Sequence, residues 1–538
     1  MTANKIRRSP WKWIAVGSVL LLAGAVISAR FVIHRAEPIV RTRIIETLSN
    51  RFQSKVELRH ISVWVNHGLE VTGEGLKIFG ATDPNPYESG VQPLLRIGEF
   101  RFQSTLRSLF RTPMHIDTVF VKGMEINIPP REDRTQFKNM GMKTGKLSIY
   151  VEKFVCEDTA LLINTSKPGK PPLEFAISRL NMKDIGWGQP MQFDATLINP
   201  KPVGEIQSHG LFGPFRTDSP RETPVQGDYS FNNADLSTIK GIGGILASTG
   251  AYSGSLGEIT VHGETDTPDF RIAISGHPVP LHTEFHAVVD GTSGDTYLQP
   301  VKARFLHTSF TARGSVVRTL SPRGHDIELN VLINQARIED LLRLGVRTDP
   351  PVMSGPIEMH TKLSLPPGNG TVTDRMGLAG NFHVSSAHFG NPQVQEKIDG
   401  LSLRSEGKPK LAREHVVEDV PVDLQGDFIL KNGTLSFSFL HFLIPGTHVD
   451  MKGDYSLDGR KFDFHGKARM VAKVSQMTTG WKSILLKPVD PFFSKHGSGT
   501  EVPVKITGTE SAPHFGLDFH HKEEGSNKAE LKHEDRVQ

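Results

Sequence analysis

The sequence predicts a mainly β protein: antiparallel strands forming a sheet with one apolar face, an N-terminal transmembrane helix and a few short helices. Three observations predict this class. Apolar and polar residues alternate over much of the chain, which is typical of strands with one buried face. The 51 Gly and 35 Pro divide the chain into short segments, as turns do. A long apolar run occurs near the amino terminus.

This apolar run covers residues 13–33 and follows a short basic tail, residues 1–12. About 20 apolar residues suffice to cross a hydrocarbon core of ~30 Å. The basic tail favours a cytoplasmic amino terminus, so the rest of the chain is exported. A cleaved signal peptide, cut after residue 25, is the alternative. The anchor residues that we single out are Trp11, Trp13, Leu20, Leu21, Leu22 and Val26.

Residues 34–130 predict a module of one helix followed by strands. Pro38 can open the helix, and apolar residues then recur every four positions as far as Phe52, which indicates an amphipathic helix. Its apolar stripe suits either a membrane interface or a protein core. The apolar period then changes to two, as in short strands. Residues 131–172 begin polar and basic and end in a Pro-rich stretch, so we predict linker-like loops there.

Residues 173–520 are predicted to form a body of repeated β-hairpins. Four segments share one spacing, beginning at Gly227, Gly380, Gly426 and Gly453. In each segment Tyr or Phe stands two positions after the Gly, a large apolar residue four after it, and Leu or Phe nine after it. Such a regular spacing indicates one local structure used repeatedly.

Two-residue turns explain the spacing in two of the segments. Asn432-Gly433 and Asp458-Gly459 readily adopt the positive φ angles of a type I′ turn. Each turn fixes a register that places apolar pairs on one face of the sheet. The predicted pairs are Phe428 with Phe437, Leu430 with Leu435 and Tyr455 with Phe462, and together with Phe382 these seven are the candidate residues of the apolar face.

The remaining composition narrows the functional classes. With 62 basic and 58 acidic residues, the chain lacks the charge excess of a nucleic-acid-binding protein. Phe is the dominant aromatic residue, 30 against 6 Tyr and 5 Trp, which suits a wide apolar surface or an ordinary core. The single Cys156 excludes an internal disulfide and is predicted to be buried. Short helices are predicted over 336–344 and 474–486, and a disordered tail over 521–538.

Catalytic and metal-binding patterns are weak in this sequence. His282, Glu284 and His286 alternate, so on a strand they share a face and form the best candidate for a zinc site. Apolar residues fill the alternate positions, and a solvent-exposed strand face is therefore our preferred interpretation. Residues 141–148 fail the phosphate-loop pattern at two positions. We predict no enzymatic activity, no catalytic residues, no metal and no cofactor.

Three stretches resemble the bacterial AsmA family of envelope proteins. The first, from Arg51, is similar to the family's amino-terminal signature of a helix, a strand, a Gly-Leu turn and a second strand. The second, from Ile97, resembles the family's strand, short helix, Pro and paired strands. The third, from Lys482, is similar to the end of the family's large domain. They read RFQSKVELRHISVWVNHGLEVTGEGLKI, IGEFRFQSTLRSLFRTPMHIDTVFVKGMEINI and KSILLKPVDPFFSKHGSGTEVPVKITGTESAPHFGLDF.

This resemblance implies a place among the repeating β-groove, bridge-like lipid transfer proteins. Such proteins are fixed in the inner membrane of Gram-negative bacteria, with the body in the periplasm, and carry phospholipid acyl chains in an apolar groove. The fold that the resemblance implies is a long curled antiparallel sheet forming this groove, and the seven candidate residues named above would line it. The implied function is support of outer-membrane biogenesis and lipid homeostasis. The implied partners are membrane phospholipids, the inner membrane, and outer-membrane or periplasmic envelope proteins. A scaffold or regulator of outer-membrane protein assembly that carries no lipid is the alternative.

Overall fold

The computed structural model of the chain describes most of the predicted sheet. The described residues are 55–65, 69–79, 93–104, 114–128, 149–163, 173–186, 189–214, 216, 220–291, 293–320, 323–414, 418–457, 460–477, 499–509 and 512–518, with positions 38, 41, 42, 44–46, 48 and 49. Several predicted segments lie outside these residues: the tails 1–12 and 521–538, the anchor 13–33, the short helix Thr105–Phe110 of the second AsmA-like stretch, and most of the predicted helix 474–486.

Twenty-six strands in one mixed sheet make up most of the described part of the chain, so the mainly β class is confirmed. They are β1 (Val56–Glu57), β2 (His60–Val65), β3 (Leu69–Ile78), β4 (Leu95–Ser104), β5 (Met114–Ile128), β6 (Ile149–Ile163), β7 (Leu173–Ile185), β8 (Met191–Pro200), β9 (Val203–Phe212), β10 (Pro224–Asp235), β11 (Ile242–Gly243), β12 (Ile245–Ser255), β13 (Glu258–Ile272), β14 (Val279–Val289), β15 (Thr296–Phe305), β16 (Thr308–Leu320), β17 (Arg323–Arg337), β18 (Met353–Ser354), β19 (Pro356–Leu365), β20 (Gly377–Phe389), β21 (Val422–Lys431), β22 (Thr434–Ile444), β23 (Thr447–Ser456), β24 (Lys461–Met470), β25 (Thr500–Thr509) and β26 (Ala512–Leu517).

Helices are few and short. The predicted helix near residue 336 forms as α1, and the described positions between 38 and 49 are helical as predicted. A longer helix after Asn391 was not predicted. Its Asn391 side chain accepts hydrogen bonds from the backbone N–H groups of Gln393 and Val394, which is a strong N-terminal cap. The helices are α1 (Ile338–Gly345), α2 (Val372–Arg375), α3 (Pro392–Ser405) and α4 (Pro409–Arg413), with 3₁₀ turns at Pro220–Glu222, Leu236–Thr238 and Val474–Met477.

The chain divides into two compact units. Unit 1 comprises residues 1–239, 244–267 and 284–296, and unit 2 comprises 240–243, 268–283 and 297–538. In unit 1 a buried apolar cluster lies on the first strands, and Cys156 is fully buried within it as predicted. Ile44 and Leu48 pack against the same cluster. Of the two environments considered for the amphipathic helix, the described residues therefore favour the protein core.

One strand pair in unit 1 corrects two predictions. β5 and β6 run parallel, with Ile116 opposite Val151, whereas we expected an antiparallel sheet. Parallel neighbours need a crossover of about a dozen residues or more, and residues 129–148 supply it. Residues 149–163 also fell within the predicted linker, and this part of the prediction is wrong. The apolar segment over 149–163 pairs with both β5 and β7, so its backbone is satisfied as a central strand.

Candidate functional site

The structure places all seven candidate residues on one face of β20 to β24 in unit 2. Phe428 lies opposite Phe437 and Leu430 opposite Leu435, and Tyr455 lies opposite Phe462, so the three predicted pairings are confirmed. Opposite residues of an antiparallel pair share a face. We call this surface the aromatic face; it comprises Phe382, Phe428, Leu430, Leu435, Phe437, Tyr455, Phe462 and one further residue, Phe464.

The first predicted turn explains this register. Asn432 and Gly433 have φ angles of 52° and 74°, the two positive values that a type I′ turn requires. The turn leaves Lys431 opposite Thr434 and sets the pairs as far as Phe428 with Phe437, beyond which the register shifts. Asp458-Gly459 lies outside the described residues, although Ser456 pairs with Lys461 on either side of it.

The rings of the aromatic face form a chain of contacts across the strands. The Phe382 ring lies 6.1 Å from that of Phe428 and 6.2 Å from that of Phe437. Phe437 contacts Phe464 at 5.7 Å between centroids, and Phe462 contacts Tyr455 at 5.1 Å. These separations lie within the range at which aromatic pairs attract each other beyond their burial. The aromatic face is therefore a cohesive apolar surface.

Burial differs along the aromatic face. Phe428 and Leu430 are 7% and 4% exposed and belong to the interior of unit 2, whereas Phe382, Phe437 and Tyr455 are only partly buried. Ile398 and Leu401 of α3 pack against the same apolar cluster. A partly covered surface of this kind has room to exchange contact with water for contact with an apolar ligand.

Phe464 is the member that sequence analysis missed. It lies two residues after Phe462 on β24 and opposite Gly453, so period-two alternation from Phe462 was the signal that could have found it. Its neighbour on β25 is Ile506, which in turn lies opposite Phe515 on β26. The apolar side of the sheet thus continues beyond the predicted residues.

The apolar side becomes exposed on β26, the last described strand. Phe515 and Leu517 are 47% and 51% exposed and lie on the side of Ile506 and Val504. The Lys397 ammonium of α3 stands 4.9 Å from the centre of the Phe515 ring, a cation–π contact. An open apolar surface therefore adjoins a positive charge here.

In unit 1, one side of strands β9, β10, β12 and β13 is built from glycine, serine and tyrosine. Gly210 lies opposite Gly227, and Gly250 opposite Gly263. The Tyr229 hydroxyl would stand 2.8 Å from a Cβ atom placed on Gly263. The rings therefore occupy space that larger residues on the neighbouring strands would need.

Two tyrosines of unit 1, Tyr229 and Tyr252, each contact a serine hydroxyl that donates in turn to a backbone carbonyl oxygen. Ser248 donates to the carbonyl oxygen of Glu264 at 2.9 Å, and the Tyr229 hydroxyl lies 3.1 Å from Ser248 Oγ. Because the serine proton is used, Tyr229 is the donor in this contact. Tyr252 contacts Ser208 in the same way. Burial raises the pKa of both Tyr229 and Tyr252, which keeps the two hydroxyls protonated.

The opposite side of the sheet in unit 2 carries charged side chains together with exposed apolar ones. His441 Nδ1 lies 2.6 Å from a carboxylate oxygen of Asp450, and Arg469 lies 3.4 Å from the other oxygen. Phe439, 42% exposed, stacks on His441 with 6.1 Å between ring centres. Phe439 is two residues from Phe437 but points to the other side, because the register shifts between these positions.

Two other sets of residues considered in the sequence, the disfavoured zinc candidate and the predicted anchor, have separate outcomes. His282, Glu284 and His286 alternate along β14, but among the described residues they do not form a cluster of converging metal ligands. The anchor residues, from Trp11 to Val26, lie outside the described residues. Within the described part, the structure has no helix with the length and apolar character needed to cross a membrane.

Fold and surface together define a mainly β protein whose carboxy-terminal unit has a cohesive apolar sheet face. No protein-family model matches the chain, and no curated protein matches it. The likeness to AsmA proteins stays a prediction that rests on the three stretches quoted above.

Proposed function

We propose that the chain is an inner-membrane-anchored periplasmic protein that carries phospholipid in an apolar β-groove and so supports outer-membrane biogenesis and lipid homeostasis. The observation that carries the proposal is the aromatic face. Membrane phospholipids and the inner membrane are the partners it implies, with outer-membrane or periplasmic envelope proteins as recipients. The AsmA-like stretches add a second, sequence-based argument.

The width of the aromatic face suits an acyl chain. Five neighbouring strands at ~4.8 Å spacing extend over roughly 19 Å. One leaflet of a bilayer contributes roughly 15 Å of hydrocarbon, half of the ~30 Å core. An extended acyl chain laid across β20 to β24 therefore finds apolar contact over its length. Each CH₂ group kept out of water contributes about 0.8 kcal/mol. Contact with the aromatic face therefore replaces the hydrophobic stabilisation that the acyl chain loses on leaving the membrane.

The exposed end of the apolar side lies beside a positive charge. Phe515 and Leu517 offer accessible apolar surface, and Lys397 places an ammonium group over the Phe515 ring. Phospholipids combine an apolar chain with an anionic phosphate. A lysine beside an open apolar surface can bind both parts of such a molecule, since ammonium groups pair with phosphate oxygens.

A scaffold for outer-membrane protein assembly is the second candidate. The burial of Phe428 and Leu430 within the apolar cluster of unit 2 favours it, because side chains that already pack on the protein need no ligand. A scaffold would retain a filled interior and bind no lipid. The two candidates therefore differ in whether lipid contacts the partly exposed members of the aromatic face.

Photo-crosslinking tests this directly. Phe437 and Phe439 lie on the same strand, two residues apart, on opposite sides of the sheet. In the full-length chain expressed in Gram-negative cells, a photoreactive phenylalanine analogue at position 437 is expected to yield a lipid adduct detectable by mass spectrometry. The same analogue at position 439 is the matched control and is expected to yield none.

A charge substitution gives the corresponding functional test. Phe437→Glu places a carboxylate among rings that cannot solvate it, and we expect increased envelope permeability in cells that depend on this protein. Phe439→Glu should leave permeability unchanged. Equal adduct yields at both positions, or unchanged permeability with a folded Phe437→Glu protein, would rule out lipid carriage on this face and favour the scaffold.

A further inference from the structure

A cluster of metal-ligand side chains lies at the beginning of the parallel pair β5–β6 in unit 1. His115 and Asp117 are two residues apart on β5, and Glu152 lies on β6. Ile116 stands opposite Val151, so the parallel register brings Asp117 level with Glu152. The ligand atoms of all three residues lie within 4.8 Å of one another. This cluster is separate from the aromatic face.

The distances within the cluster are those of ligands around a common ion. His115 Nε2 lies 3.6 Å from a carboxylate oxygen of Asp117 and 3.8 Å from one of Glu152. These contacts are too long for hydrogen bonds, whereas His441 and Asp450 approach to 2.6 Å. Tetrahedral zinc with bonds of about 2.1 Å separates its ligand atoms by about 3.4 Å. The three side chains therefore need to move only slightly to share one ion.

Neighbouring groups hold the imidazole and add negative charge. The Tyr150 ring stacks on the His115 ring with 4.9 Å between centres and 23° between planes. The Tyr150 hydroxyl donates to Asp184 Oδ1 at 2.7 Å. Groups that orient a ligand in this way strengthen metal binding. The partly exposed cluster leaves the fourth coordination position open to water.

We propose that His115, Asp117 and Glu152 form a site for a divalent transition-metal ion, with zinc as the preferred ion, which links β5 to β6. Zinc accepts a mixture of imidazole and carboxylate ligands. Magnesium and calcium favour all-oxygen sites, so the imidazole selects against them. An ion shared by the two strands binds the folded sheet in preference to the unfolded chain and stabilises it.

Zinc titration of the full-length protein tests the site. After treatment with a chelator, the purified chain is titrated with zinc against a chromophoric competitor, and its melting temperature is measured with and without zinc. We expect one equivalent of zinc to bind more tightly than the rest and to raise the melting temperature. His115→Gln and Glu152→Gln should each weaken that equivalent at least tenfold and abolish the thermal shift.

His209 provides the matched control. In the same unit, His209 Nε2 lies 3.6 Å from a carboxylate oxygen of Asp228, the same separation as between His115 and Asp117. His209 and Asp228 are both exposed. His209→Gln should leave the tight equivalent unchanged. If wild-type protein binds no tight equivalent, or if His209→Gln weakens binding as much as His115→Gln, the proposal is overturned. Melting temperatures of the zinc-free variants equal to that of zinc-free wild type show that the substitutions act on the ion and not on folding.

Discussion

Tyr229 shows at the scale of one residue what alternation predicts and what it leaves out. In the repeat it occupies the position of Phe382 and Phe428, and it lies on the less exposed side of its own strand. The repeat did not reveal that its hydroxyl contacts Ser248. That partner lies on β12, and cross-strand partners outside a local hairpin are set by the sheet register and not by the local sequence.

His465 offers a pH-dependent prediction at the same scale. Its Nδ1 lies 2.6 Å from Asp518 and its Nε2 lies 2.9 Å from Asp463, so both ring nitrogens can donate only in the imidazolium form. The hydrogen bond to Asp518, followed by that to Asp463, raises the pKa of His465. The resulting stability is fully present below about pH 6.5, the usual pKa of histidine, and is lost as the pH rises through the higher pKa of the folded state.

Asp518→Asn is therefore expected to lower the melting temperature more at pH 6 than at pH 9. A hydrogen bond to a charged group contributes about 1.5–3 kcal/mol, which is the loss expected at pH 6. Asp427→Asn, which removes an exposed carboxylate from β21, controls for the change in net charge. Scanning calorimetry at the two pH values makes the comparison. A difference between wild type and Asp518→Asn that grows with pH would contradict this account.

At the scale of elements, three described segments of the repeat have a positive φ angle at the same position. The residue six positions after the Gly is Asn233, Ser386 or Asn432, with φ angles of 54°, 49° and 52°. Only Asn432 lies in a hairpin turn. Asn233 and Ser386 lie at register shifts inside β10 and β20. The hairpin interpretation is therefore wrong for the segments from Gly227 and Gly380, where the same local conformation forms a bulge.

The choice between turn and bulge depends on the residue that follows the position of positive φ. A two-residue turn needs positive φ at both central positions, and Gly433 supplies the second with a φ of 74°. Ala234 and Ala387 stand at the equivalent place, and alanine rarely adopts that conformation. The strand therefore continues past the bulge. This distinction was present in the sequence, whereas the parallel pairing of β6 depends on contacts between distant segments.

Gly433 gives the prediction at this scale. A Cβ atom placed on Gly433 would have no atom within 4 Å, whereas one on Gly380 would meet the backbone carbonyl oxygen of His360. Gly433→Ala should therefore cost only the backbone conformation, about 1 kcal/mol in the free energy of unfolding. Gly380→Ala should cost more, because backbone atoms cannot move aside as a side chain can.

Denaturant unfolding of the two variants measures the difference. Asn432→Gly, which places glycine where φ is already positive, is the control and should change stability by less than Gly433→Ala. An equal loss for Gly433→Ala and Gly380→Ala would show that backbone conformation, not the approach of neighbouring strands, sets the requirement for glycine at both positions.

At the scale of the whole molecule, the two units use their covered sheet sides differently. Unit 2 has the aromatic face, which ends in the exposed Phe515 and Leu517. In unit 1, strands β9, β10, β12 and β13 instead combine glycines with the hydrogen-bonded Tyr229 and Tyr252. The Phe excess predicted an apolar surface without indicating where it would lie. The contacting rings of the aromatic face lie in unit 2, and this directs the lipid experiments to that unit.

A carrier working from the inner membrane requires that the predicted anchor stay attached. Because residues 13–33 are long enough to span the hydrocarbon core, we expect the full-length chain with a carboxy-terminal tag to keep its complete mass and to stay in membranes washed at high pH. Signal peptidase requires a small residue before the cut, so Ala25→Phe separates the two cases. If the chain is anchored, the variant and the wild type have the same size. If the wild type is shorter than Ala25→Phe and is recovered in the soluble periplasmic fraction, the amino-terminal segment is a signal peptide, and a fixed tether is excluded.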